Sequence, residues 1–180
     1  LLELHHQFDV ITAKCLDFGR YDLLVVPDSG VCTPALEKRL RDFVRRGGKL
    51  LVSNEALLDQ GKRRFPLADL MGVEYQGPAG SNPDYFQIVD HALETPVTRI
   101  GFPYSVFDGP SSRVKARAGT KVLADAYGTY FDRTWEHFSS HGFTPPLAQK
   151  AGYPAVTRRG NVIYLHSPIF GAYLKFGNLT

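Results

Sequence analysis

The chain has 180 residues, 43% apolar and 22% charged, with 21 basic against 18 acidic side chains. That is a globular composition, long enough for one core as a single domain over 1–180, and a formal charge of +3 is too small to imply nucleic acid. No stretch approaches the ~20 apolar residues of a membrane span, no basic and then apolar leader opens the chain, and two cysteines, Cys15 and Cys32, are too few for a disulfide scaffold or a Cys-rich zinc site.

The first 60 residues read as α/β. Leu1–His6 has the look of the last turns of a helix leading into a β-prone run, Phe8–Thr12. A strand would ordinarily precede such a helix, so residue 1 is expected to be an internal point of a longer protein. Asp22–Val26 and Lys49–Ser53 are almost continuous apolar runs, as strands buried on both faces of a parallel sheet require. Between them lies a helix. Thr33 can cap it, and Pro34 sits at its first position, where no N–H is needed. Leu36, Leu40, Phe43 and Val44 form one stripe, and Gly47-Gly48 supply the stop. Strand, helix, strand predicts a βαβ crossover.

Beyond it, Glu55–Leu58 and Leu67–Met71 predict a broken helix closed by Gly72, and residues 77–84 a loop. Further β-like segments are Tyr85–Val89, Val97–Ile100, Val114–Ala116, Lys121–Ala126, Ala155–Thr157 and Asn161–His166. A short helix is predicted over Ile169–Phe176. Residues 1–90 hold 11 basic and 13 acidic groups, and residues 91–180 hold 10 and 5, with four of the six histidines. The second half therefore leans toward anionic or hydroxyl-rich partners, or simply carries scattered surface charge.

The stretch with most chemistry is Tyr130–Pro146. It contains the only Trp, Trp135, with Arg133, Glu136, His137, His141 and three Phe. Aromatic faces beside hydrogen-bonding groups suit a sugar, whose C–H faces stack while its hydroxyls take polar partners. An ordered loop pinned by its own aromatics is the other reading. His137 and His141 would share a helical face, as zinc ligands do, but Glu136 precedes the first His and Pro145-Pro146 follow closely, so neither helix nor metal is expected. At the strand ends, Ser53-Asn54-Glu55 and His166-Ser167-Pro168 stand where α/β proteins place ligands. Ser53 lacks the Gly-x-Ser-x-Gly spacing of a nucleophile elbow. Neither cysteine is expected to be a reactive thiol, Lys14 being the only basic residue adjacent to either.

Tyr21–Asp28, the helix and Gly47–Ser53 together resemble class I glutamine amidotransferase-like domains. More narrowly they resemble the version within glycoside hydrolases, the β-galactosidase trimerisation domain and its relatives in α-L-fucosidase-like enzymes. Leu70–Val73, Pro83-Asp84-Tyr85 and Tyr130–His141 are similar to parts of that group. The resemblance implies a flavodoxin-like three-layer α/β sandwich with a mostly parallel central sheet. It places the amidotransferase nucleophile at Asn54, its His at His166 and its acidic partner at Ile169. A carboxamide cannot attack an acyl group, so two triad members are missing.

The resemblance thus implies a noncatalytic accessory or oligomerisation domain of a longer multidomain hydrolase, without cofactor. Its partners would be its own TIM barrel, other subunits and the parent's carbohydrate, with no nucleic acid and no membrane. Arg133, Trp135, Glu136, His137 and His141 would face substrate or interface. The alternative is a stand-alone hydrolase or amidase using Ser53 or a metal at His137/His141. With no leader read at residue 1, a cytoplasmic location is expected.

Overall fold

The computed structural model describes residues 1, 5–15, 17–99, 103–107, 109–138 and 144–176. Strand β1 (Leu23–Val26) leads to helix α1 (Pro34–Arg45) and strand β2 (Lys49–Ser53). Thr33 caps α1, its hydroxyl accepting from the Leu36 N–H at 3.3 Å. Leu40 and Phe43 are buried on the stripe read from the sequence. Gly47 takes φ +96, and a Cβ on Gly48 would come within 2.4 Å of the Phe43 ring. The stop therefore needs one glycine for its backbone angle and the other for its lack of a side chain.

The elements that follow are the short helix α2 (Ala68–Met71), β3 (Val73–Pro78) and β4 (Asp84–Ile88). Next come a 3₁₀ turn at His91–Leu93, α3 (Pro96–Arg99), β5 (Ser105–Phe107), β6 (Ser112–Ala116) and β7 (Lys121–Thr129). The chain ends with β8 (Pro146–Arg159), β9 (Val162–Leu165) and α4 (Ile169–Phe176).

Seven strands form one sheet in the order β1-β2-β9-β8-β7-β4-β5, while β3 and β6 pair separately. β1 runs parallel to β2, and β2 parallel to β9. Every other pair in this sheet is antiparallel. The expected mostly parallel sheet is therefore corrected to a mixed one, and the two complete helical layers of a flavodoxin-like sandwich are not formed by the described residues. The reason lies in the connections. Parallel neighbours in sequence need a crossover of a dozen residues, which α1 supplies once. Arg159 pairs with Val162, leaving only Gly160-Asn161 between β8 and β9, with Gly160 at φ +54. A two-residue link of this type makes an antiparallel hairpin.

Three local readings also change. Phe8–Thr12 is not a strand, and Val10 is exposed. Glu55–Leu58 is a chain of turns, with Leu57 at φ +71 rather than in a helix. Val97–Arg99, read as β-prone, lies in α3. Of the expected opening helix, residues 2–4 lie outside the described residues.

Side-chain alternation divides the apolar residues between two clusters. Val162 and Tyr164 on β9 face one way, with Leu50, Val52, Leu40, Phe43, Met71 and Val73. Ile163 and Leu165 face the other way, against Leu123, Ala124, Ala155 and Val156. The first cluster is the larger, and it anchors the carboxyl ends of the parallel strands.

Candidate functional site: a strand-end elbow and a long connection

Two loci hold the candidate residues. The first is the elbow after β2. Asn54 has φ +49 and Asp28, just beyond β1, has φ +45. Left-handed backbone at non-glycine residues is tolerated best by Asn and Asp, whose short side chains can bond locally. Here both do. The Ser53 hydroxyl donates to Asp28 Oδ1 at 2.6 Å and accepts from the Asp28 N–H at 2.8 Å. Asp28 Oδ2 in turn accepts from the Gly171 N–H at the start of α4. Ser53 is fully buried, and both roles of its hydroxyl are used in tying β1 to β2. It is a strut, in a geometry that offers no path to an acyl carbon.

Asn54 is equally engaged. Its N–H donates to Leu165 O at 2.7 Å and its carbonyl accepts from the Tyr164 hydroxyl at 2.9 Å. Its Oδ1 accepts from Ser112 Oγ at 2.7 Å. The same Ser112 donates its N–H to the carbonyl of His166 at 2.8 Å. The fold thus brings Asn54 and His166 to adjacent strand ends, linked through β6. Ser112 lies 58 positions from Asn54, and nothing local in the sequence marks it.

His166 is 1% exposed. Among the described residues neither of its ring nitrogens has a hydrogen-bond partner, and its ring lies 6.0 Å from that of Tyr153. Burial pushes its pKa down to about 4, so it is a neutral imidazole at pH 7. Burial also pushes the Cys32 thiol up to about 11, away from the thiolate a nucleophile needs. The elbow retains the shape of a nucleophile turn and none of its chemistry.

The second locus is the connection between β7 and β8, residues 130–145. Its two legs meet at the Thr129–Pro146 pair and at Tyr130 N–H, which donates to Pro145 O at 3.3 Å. Residues 132–138 are exposed. Tyr130, Trp135 and Phe138 are 63%, 86% and 68% exposed. The tip is braced on itself. Thr134 N–H donates to His137 O at 2.8 Å, and His137 N–H donates to Thr134 Oγ1 at 3.0 Å. The Phe131 and His137 rings are 6.5 Å apart. Arg133, Trp135, Glu136 and His137 therefore share one exposed segment, while His141 lies outside the described residues. Among the described residues no three His, Cys, Asp or Glu side chains gather in a way that could hold a metal ion, and no helix is long and apolar enough to cross a membrane.

Comparison with known proteins bears on both loci. Residues 1–77 match the β-galactosidase trimerisation domain. The matched segment runs through β1, α1, β2, the elbow and α2, and stops within β3. No curated protein matches the chain. Among solved structures, α-L-fucosidase isoenzyme 2 from Paenibacillus thiaminolyticus is 26% identical with a TM-score of 0.82, over 96% of this chain and 25% of the fucosidase. A polyextremophilic β-galactosidase from the Antarctic haloarchaeon Halorubrum lacusprofundi is 17% identical, TM-score 0.56, over 89% of this chain and 21% of that one. An exo-β-1,4-mannosidase from Opitutaceae bacterium strain TAV5 is 16% identical, TM-score 0.53, over 87% and 22%. The last two likenesses are of fold alone. This chain spans about a quarter of the fucosidase or less of each of the others. The narrower resemblance drawn from Tyr21–Asp28 and Gly47–Ser53, to the β-galactosidase trimerisation domain, is thereby borne out. The elbow lies inside the trimerisation-domain match, and the β7–β8 connection lies outside it.

Proposed function

We propose that this chain is a noncatalytic accessory and oligomerisation domain of a longer glycoside hydrolase of the β-galactosidase or α-L-fucosidase type. The observation that carries the proposal is the likeness of 96% of this chain, at TM-score 0.82, to only a quarter of a fucosidase. The spent elbow supports it, since Asn54 holds the nucleophile position with every polar atom of its backbone and its Oδ1 engaged. Catalysis would belong to a TIM barrel elsewhere in the parent. The kinship with glutamine amidotransferase-like, flavodoxin-like domains is proposed for the β1-α1-β2-β9 part, where the sheet is parallel. The parent is placed in the cytoplasm, where the free Cys15 and Cys32 would stay reduced.

In this role the chain contacts its own barrel and other subunits. The β7–β8 connection, with Arg133, Trp135, Glu136, His137 and His141, faces the neighbouring subunit or the carbohydrate. An indole that is 86% exposed can stack on a sugar ring or fill a partner's pocket. The test uses the full-length parent with nitrophenyl glycosides, comparing wild type with Trp135→Ala and His137→Ala and reading the subunit count by light scattering. A fall in kcat/KM of roughly tenfold, equivalent to about 1.4 kcal/mol, with the oligomer intact, assigns the connection to the active-site wall. Dissociation of the oligomer assigns it to assembly. A parent that cleaves no glycoside, with variants like wild type, overturns the proposal.

A further inference from the structure

The role proposed above for the β7–β8 connection requires its exposed tip to be held in place, and the fold provides a clamp. Each leg of the connection is tied to the same short segment, the entry into β4. On the outgoing leg, Asp132 Oδ1 accepts from the Asn82 N–H at 3.3 Å. On the return leg, the Thr144 carbonyl accepts from the Tyr85 hydroxyl at 2.6 Å, a buried bond between residues 59 positions apart. Ser81 Oγ donates to Asp84 Oδ1, closing the turn that carries Asn82. Tyr85 is 5% exposed and Asp84 1%, so the clamp is rooted in the interior while the tip it holds is in solvent. β4 itself is fixed by pairing with β7, Tyr85 opposite Tyr127. None of the core packing requires the Tyr85 hydroxyl. A Phe would fill the same space, so what the phenol adds is the bond to Thr144.

We infer that residues 81–85 are a positioning element, and that Tyr85 in particular sets where Trp135 and His137 are presented. The Tyr85 hydroxyl and the Asn82 N–H bond to Thr144 and Asp132, on either side of Trp135 and His137. They act through the two legs, and this gives the Pro83-Asp84-Tyr85 motif a task that the elbow does not.

The test uses the full-length protein. Tyr85→Phe removes one oxygen and keeps the ring. Asp132→Ala, on the exposed outgoing leg, is the second variant should the first fail to fold. Trypsin cleavage after Arg133, identified by mass, reads local opening of the connection against an unchanged melting temperature. Cleavage is expected to be about fivefold faster in either variant. KM for the nitrophenyl glycoside is expected to rise roughly threefold with kcat within about twofold of wild type, as for lost positioning of a binding group.

Unchanged cleavage in both variants overturns the clamp. Faster cleavage with unchanged KM also overturns it, provided that Trp135→Ala raises KM. If Trp135→Ala leaves both activity and assembly untouched, the role of the connection fails while faster cleavage still upholds the clamp, so the two failures are distinguishable.

Discussion

At the parallel end of the sheet, β1, β2 and β9 bring their carboxyl ends together, and apart from the His166 ring the polar groups named there are paired. Ser53 ties Asp28, Ser112 ties Asn54 and His166, and Tyr164 holds the Asn54 carbonyl. At the antiparallel end, β7 and β8 pair with several register shifts, and residues 132–138 between them are exposed and carry an indole in solvent. The two regions spend the same chemistry in opposite ways. The buried polar atoms of Ser53, Asn54, Ser112 and Tyr164 in the first are satisfied within the fold and rigidify it. Apolar area in the second is left uncovered, and the role proposed for the tip rests on that exposure. Left-handed backbone alone, as at Asn54, is therefore no sign of activity. What matters is whether the side chain it presents is free to act.

The sharpest way to break the comparison is to truncate one apolar side chain in each region. Leu40→Ala, in the core beneath the parallel strands, is expected to cost about 2–5 kcal/mol in denaturant unfolding. Trp135→Ala, at the tip, is expected to stay within about 0.5 kcal/mol of wild type. Equal losses would mean that the tip belongs to the core.

A pH series comes next. His166 is neutral and buried in the fold, its pKa depressed to about 4, whereas in the unfolded chain it titrates near its ordinary value. Its contribution is intact above the ordinary histidine range. It is lost as the pH falls toward 4, with a slope of up to about 1.4 kcal/mol per pH unit, because only the unfolded chain takes up the proton. His166→Phe should flatten that slope in chemical melts between pH 7 and pH 4, and an unchanged slope would show that other groups govern it.

The third test is at the elbow. Ser53→Ala removes both of the hydroxyl's bonds to Asp28 and should cost about 1–3 kcal/mol in the same melts without altering glycoside turnover by the parent. Loss of turnover with stability intact would restore Ser53 as a nucleophile.

Much of the first region was legible in the sequence. α1 begins and ends where Thr33-Pro34 and Gly47-Gly48 place it, and its buried stripe is the one that Leu40 and Phe43 define. α4 matches its predicted span, Ile169–Phe176. The β3 strand was missed, because Val73–Pro78 has two apolar side chains, a glycine and a proline, and owes its pairing to β6. Of the candidate residues, Arg133, Trp135, Glu136 and His137 lie on one exposed segment because they are neighbours in the chain. The Tyr85–Thr144 bond and the Ser112 strap were invisible, since each joins positions more than 50 residues apart.

The sequence by itself determined the elements whose signals are local. These are the capped helix between two apolar strands and the aromatic and histidine-rich connection. Caps, stops and apolar stripes act within a few residues, so they can be read along the chain. Only the tertiary structure decided that most of the sheet is antiparallel, that Ser53 and Asn54 are locked struts, and that His166 is sealed without a partner. Those outcomes depend on which strands lie side by side. Strand order is set by packing two apolar clusters on opposite faces of one sheet, and no local window of the chain contains that information.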